Sequence, residues 1–236
     1  MRRYAPSRFA LSTAACLAVI TLTGCSGTPT VQTGPDAETI DGKLYRVDHT
    51  VADLVYVDPA ADFSRYNRIL LLPLSLDNVE VVQPQNNAPY VHKRDWELSD
   101  EDRTKLRDSF RAAMTRELVD KGGYTLAEGP GDDVLEVAAM LKEIAPNAPK
   151  DDNQSRYSGR SRVYTEGAGS MAVSVVFGDS QTGEVLALSK DRRESAQQWG
   201  LNNSVSNLAE VRRMFAAWAR QLRTGLDRLR VADTPE

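Results

Sequence analysis

Between Ile69 and Leu72 the chain is apolar without interruption and polar on both sides, the pattern of a short strand buried on both faces. Pro73 has no N–H to give a ladder, so it sets that strand's end or puts it at an edge. From Leu106 the period lengthens. Leu106, Phe110, Ala113, Met114 and Leu118 recur every three or four residues and predict one buried helical stripe, with Arg107, Arg111 and Glu117 largely off it. Ser99 is a natural N-cap with Asp102 as its capping-box partner. Asp100, Glu101 and Asp102 meet the positive end of the helix dipole, and Gly122-Gly123 supplies the stop.

Past "GPGDD" the period drops to two, with Val134, Glu136 and Ala138 alternating with Leu135, Val137 and Ala139 in a strand that continues to about Ile144. A further run, Gly169 to Phe177, joins Val185 to Ser189 through "GDSQTGE", whose Gly, Asp, Ser and Thr mark a hairpin turn. Val79 to Val82 and "YTLAE" read as short extended pieces. In "NLAEVRRMFAAWARQLRTGLDRLR", Asn207 and Glu210 form a capping box, and Leu208, Val211, Phe215, Trp218, Leu222, Leu226 and Leu229 make an apolar stripe. Arg223, Arg228 and Arg230 suit the negative end of that dipole, while Trp96 and Trp218 are assigned to the core. The order β-α-β-β-β-β-α predicts a two-layer α+β domain: a mixed sheet of about five strands with two long helices packed on one face.

The start of the chain is different in kind. Arg2, Arg3 and Arg8 flank an apolar stretch from about Phe9 to Leu22, the layout of a secretory signal peptide. Its ~13 residues fall short of the ~20 that a spanning helix needs. Leu22-Thr23-Gly24-Cys25 then resembles the lipobox of bacterial lipoproteins. That resemblance implies recognition of Leu22, Thr23 and Gly24 by a signal peptidase, cleavage before Cys25, and diacylglyceryl and N-acyl lipid on Cys25. Each buried methylene contributes ~0.8 kcal/mol, so two or three chains anchor durably. Ser26 stands where enteric lipoproteins retained at the inner membrane carry Asp, which implies the periplasmic leaflet of the outer membrane. Residues 1–24 are thus a signal peptide, 25–50 a flexible tether, 51–231 a single domain and 232–236 a disordered tail. The tether assignment rests on "SGTPTVQTGPDAETIDGK", which lacks either period and has too little apolar surface to offset its ordering entropy. Such a segment would span about 25–30 Å.

Charge and cysteine content narrow the function classes. The formal net charge is −4, and loss of Arg2, Arg3 and Arg8 with the signal peptide makes the mature chain more acidic still. An exported acidic protein lacks the basic face that nucleic-acid binding requires. Cys16 leaves with the signal and Cys25 carries lipid, so no thiol remains for a disulfide, a zinc site or a nucleophile. Apart from the lipid no cofactor is expected. Asp132-Asp133 and Asp151-Asp152 are adjacent carboxylates without the calcium-loop pattern and read as solvated turns rather than metal ligands.

Gly178-Asp179-Ser180 matches the nucleophile motif of a hydrolase family, but its serine needs a histidine held by a carboxylate. In that family the histidine lies near the domain's end, whereas His49 and His92 both precede Ser180, and a hairpin turn explains the same residues. "GPGDD" lacks the Lys-Ser/Thr of a phosphate loop. Arg156, Tyr157, Arg160, Arg162 and Tyr164 form a candidate partner-contact loop, since guanidinium groups among tyrosines suit a phosphate, a carboxylated glycan or an acidic protein surface. A solvated hairpin loop is the plainer reading. Trp199 is either an interface anchor or packing beneath the last helix.

The stretches "WELSDEDRTKLRDSFRAAMTRELVDKGGYTLAEGPGDDVLEVAAMLKEIAPN", "GDSQTGEVLA" and "NLAEVRRMFAAWARQLRTGLDRLR", with the lipobox ahead of them, resemble domain of unknown function 3313, a family of proteobacterial lipoproteins. The resemblance spans about Leu54 to Arg230. It implies an exported α+β lipoprotein and brings no catalytic residues. The expectation is therefore a non-catalytic binding or structural accessory module facing the periplasm, with the membrane held through the anchor and an envelope protein or the peptidoglycan as partner. The alternative is an envelope hydrolase acting on a cell-wall or lipid substrate, because two carboxylates brought together in space suffice for a glycosidase.

Overall fold

The computed structural model describes residues 27–84, 96–147, 164–195, 199–201 and 204–232. In chain order these hold β1 (Thr30–Val31), β2 (Thr39–Ile40), β3 (Leu44–Asp48), β4 (Leu54–Val57), β5 (Arg68–Leu71), β6 (Glu80–Val81), α1 (Asp100–Met114), β7 (Thr125–Leu126), β8 (Val134–Pro146), β9 (Tyr164–Glu166), β10 (Gly169–Asp179), β11 (Val185–Glu194), β12 (Trp199–Leu201) and α2 (Ser204–Ala232). Ten of these strands form one mixed sheet in the order β1-β3-β4-β11-β10-β8-β5-β7, with β2 added to β3 and β6 to β8. Pairing is antiparallel from β1 to β8 and parallel where β5, β6 and β7 join.

The class is α+β as expected, but the sheet has ten strands among the described residues, not about five. Most of the extra strands are two to five residues long. Runs that short show no measurable period, and their pairing is set by neighbours distant in sequence.

Alternation along the central strands divides the sheet into two faces. Leu71, Val137, Phe177, Ala187 and Val57 are direct cross-strand partners in sequence across β5, β8, β10, β11 and β4, and all five are buried. This row and its neighbours share one core with Leu106, Phe110 and Met114 of α1 and Phe215, Trp218 and Leu226 of α2. Phe110 and Phe215 meet edge-on at 5.7 Å between ring centroids, which ties the helices to each other over the sheet. On the other face Met140 and Lys142 of β8 are exposed.

The capping box of α1 forms as the sequence predicts: Ser99 Oγ accepts from Asp102 N at 3.2 Å, and Asp102 Oδ2 accepts from Ser99 N at 3.1 Å. Beyond Met114 the helix widens into a π-turn, Thr115–Asp120. The wider turn shifts the side-chain register, so Glu117, expected off the buried stripe, is inside together with Leu118. Helix α2 begins at Ser204, so Asn207 lies inside its first turn and is not its N-cap.

The expected tether, 25–50, also needs correction. From Gly27 onward it is part of the domain: β1 and β2 both pair with β3, and β3 pairs with β4. Polar contacts hold this edge together with apolar contacts from Leu44, which is buried, and from Val31 and Val47, which pack against the core. Gln32 Nε2 donates to Asp48 Oδ1 at 2.9 Å, Glu38 N donates to Gln32 Oε1 at 2.8 Å, and Arg46 pairs with Glu38. Asp41 and Gly42, both with positive φ, make the tight turn from Ile40 to Lys43, whose N–H donates to Ile40 O at 3.1 Å.

Candidate functional site

Helix α2 spans 29 residues over a sheet wider than two helices can cover. One flank of it is closed by α1 and the π-turn. Arg223 reaches Glu117 at 3.5 Å and Asp227 at 2.9 Å, and Arg230 stacks on the Tyr124 ring at 4.7 Å. Glu117 also receives Lys121 at 2.8 Å; that hydrogen bond chiefly, with help from Arg223, holds its carboxyl below the usual range despite burial.

The opposite flank is open. Between it and the strands that run past β11 lies a groove of about 560 Å³, within the ~300–1,000 Å³ range of ligand sites. Val31, Val47, Val55, Val57, Phe177 and Ala187 form its floor, and Ala217, Leu222, Gly225, Leu226 and Leu229 its helical wall. Strand register explains the floor: Val31 pairs with Val47, and Val55 pairs with Ser189, so each strand sends alternate residues to the helix side. The wall is kept low by Ala217 and Gly225; a Cβ on Gly225 would meet nothing within 4 Å. Pro29, just before β1, also lines the groove.

Three arginines border this apolar trough. Arg193 is held by Asp191 at 3.0 Å and by Gln221, while Asp191 accepts from Trp218 Nε1 at 2.7 Å. Arg220 and Arg228 are exposed, and their side chains make no hydrogen bond or ion pair among the described residues, although the Arg220 charge reaches Glu117 through space. The arrangement offers an apolar floor with cations at its lip, which suits an amphiphile with a negative head. The signal in the sequence was Gly225, an isolated glycine inside a helical pattern.

The other motifs are structural. Asp179 organises the β10–β11 turn, its Oδ1 accepting from Gln181 N at 2.9 Å and Thr182 N at 3.0 Å, its Oδ2 from Tyr66 Oη at 2.9 Å. Those donors, the Thr182 N–H first, hold its carboxyl below the usual range; burial, then Asp179 itself, pushes the Tyr66 phenol up to about 12. Ser180 Oγ accepts from Gly131 N at 3.1 Å and donates to Gly131 O at 3.2 Å, so "GDS" and "GPGDD" clasp one another. Asp133 pairs with Arg68 at 3.0 Å, and no cluster of three or more metal-ligating side chains occurs among the described residues.

A smaller cavity of about 180 Å³ lies between the N-terminal parts of both helices, bordered by Trp96, Leu106, Met171 and Val211. Trp218 is buried, as expected for the core, and Trp96 is half-buried. Leu22, Thr23, Gly24 and Cys25, Asp151 and Asp152, and Arg156, Tyr157, Arg160 and Arg162 of the candidate contact loop lie outside the described residues. Tyr164 is described as backbone in β9, where it pairs with Leu201, and Trp199 as backbone in β12, where it pairs with Glu166.

An α+β sheet carrying two helices and an apolar groove is the frame on which the comparisons with known proteins fall. The chain belongs to the family described as protein of unknown function DUF3313, whose model matches residues 44–222. Protein XCC0632 from Xanthomonas campestris, of the DUF330 family, is 13% identical with a TM-score of 0.39, covering 75% of this chain and 92% of its own. The PelC dodecamer from Paraburkholderia phytofirmans is 9% identical with a TM-score of 0.37, covering 72% and 96%. A candidate lipoprotein from Caulobacter crescentus CB15 is 13% identical with a TM-score of 0.32, covering 72% and 93%. Among curated proteins none matches.

Proposed function

We propose that this protein is a lipid-anchored envelope lipoprotein whose domain works as a non-catalytic binding or structural accessory module close against the periplasmic leaflet of the outer membrane. One observation carries the reading: the lipobox cysteine, Cys25, stands five residues before Thr30, the first residue of β1. Pro29 can be no more than about 14 Å of extended chain from Cys25. An acylated Cys25 would therefore hold the β1–β3 edge at the bilayer rather than on a long leash. Ser180, the one serine in a nucleophile-like motif, is occupied in clasping two turns, which supports a binding role over a hydrolytic one. An envelope protein or the peptidoglycan is the partner in this reading, and no step calls for a cofactor or metal.

The test is mass spectrometry of the mature N terminus with density-gradient separation of the two membranes. The expected result is an acylated Cys25 at the N terminus in the outer-membrane fraction, and an unprocessed, unacylated chain for Cys25→Ala. Normal processing of Cys25→Ala would overturn the anchor, and recovery of acylated wild type in the inner membrane would overturn the leaflet assignment.

A further inference from the structure

The groove under α2 and the proposed anchor point to a ligand class. The trough is lined mostly by apolar side chains, its volume is about 560 Å³, and Pro29, four residues after Cys25, is one of its lining residues. Arg220 and Arg228 stand at its lip unpaired among the described residues, on a protein whose net charge is negative. An acidic chain that sets two exposed cations beside an apolar trough, Arg228 without an acidic partner and Arg220 sharing only the through-space charge of Glu117, has the charge pattern of a site for an anionic head with a hydrocarbon tail. A helix-interior glycine disfavours α2 relative to alanine. Gly225 nonetheless sits there, and its missing side chain widens this trough.

We infer that the groove between α2 and strands β1, β3, β4 and β11 binds one acyl chain of an anionic membrane phospholipid, with Arg220 and Arg228 at the phosphate. The location of the site at the bilayer rests on the proposed lipid anchor; the fit of groove to ligand does not. Val47, Val55, Leu222 and Leu226 contact the chain. Arg193, already engaged by Asp191 and Gln221, shapes the groove wall rather than meeting the head.

The test uses the purified full-length mature protein in vesicles of phosphatidylcholine with a tenth part of phosphatidylglycerol carrying a diazirine in one acyl chain; peptides are mapped after illumination. Label is expected on the peptides holding Val47, Val55 and Leu226. Gly225→Leu, which fills the trough from a position with free space, should abolish that label, and Gly225→Ala should retain most of it. Arg220→Gln and Arg228→Gln should each lower it about fivefold, the effect of one cation beside an anionic lipid surface. The same diazirine on phosphatidylcholine should label weakly. Equal labelling by the two lipids, or labelling unchanged in Gly225→Leu, overturns the inference. So does a cross-link from a diazirine fatty acid carried on Cys25 into the groove that persists with excess phosphatidylglycerol, because the occupant would then be the protein's own lipid. A chain beginning at Ser26, which carries neither signal peptide nor lipid, added to the same vesicles separates the two readings: groove labelling there supports the site whether or not the anchor exists.

Discussion

The two flanks of α2 carry similar residues to opposite ends. Toward α1, Arg223 and Arg230 are spent on Glu117, Asp227 and the Tyr124 ring, and Phe215 fills the space against Phe110. Toward β1, β3 and β4, the side chains of Arg220 and Arg228 make no ion pair among the described residues, Arg220 acting on Glu117 only through space, and small residues leave the space open. One helix thus serves a packed seam on one side and an unfilled trough on the other. A flank built only for stability would be filled, since a void lined by side chains forfeits their contact energy. The difference is what the proposed ligand site would exploit: the seam is filled for stability, and the open flank is not.

Truncation should expose that contrast most strongly. Phe215→Ala, in the seam, is expected to cost about 3–5 kcal/mol in urea unfolding. Val55→Ala, half-buried in the trough floor, is expected to cost about 1 kcal/mol. Equal losses would erase the distinction between the flanks.

Next in size is the buried carboxylate of the seam. Glu117→Gln should cost about 3 kcal/mol at neutral pH, because Lys121 and Arg223 then face a group that no longer balances them. The folded carboxyl lies below its unfolded value of about 4.3, so its contribution is complete above that pH and lost as pH falls through the folded value. Asp179 acts in the same direction in the same acidic window. Stability of the wild type should therefore fall steeply below about pH 4, and less steeply in Glu117→Gln; parallel curves would remove Glu117 from the account.

The smallest effect has the opposite sign. Gly225→Ala should stabilise by about 1 kcal/mol through helix propensity, as a methyl there meets nothing. A destabilised variant would mean that the trough is tighter than it looks.

How much of this was legible in the sequence follows from which forces build each part. The long amphipathic stripes ending in Leu118 and running through Phe215, Trp218 and Leu226 were readable because apolar burial imposes a period. The strands β8, β10 and β11 and the turn at Asp179 were readable for the same reason and for their turn residues. The edge from Thr30 to Asp48 was not, because its strands are too short to show a period: Val31, Leu44 and Val47 are apolar anchors scattered among the polar contacts of Gln32, Glu38, Arg46 and Asp48. Its one local signal was Asp41-Gly42 between Ile40 and Leu44, a tight-turn dipeptide flanked by apolar residues. Glu117 was misplaced because a π-turn breaks the 3.6-residue count. The groove was beyond reach for a different reason: a void is defined by elements far apart in the chain, and Gly225 alone only hinted at it.

Amide exchange tests most directly whether the folded domain starts as close to the proposed anchor as β1 places it. In the mature protein bound to vesicles, the amides of Gln32 and Arg46, which donate to Arg46 O and Glu38 O, should be protected to a degree comparable with Asp58, which donates to Leu186 O in the sheet. Exchange of Gln32 and Arg46 at the rate of an unstructured peptide, with Asp58 still protected, would restore the long tether and detach the domain, and its groove, from the membrane surface.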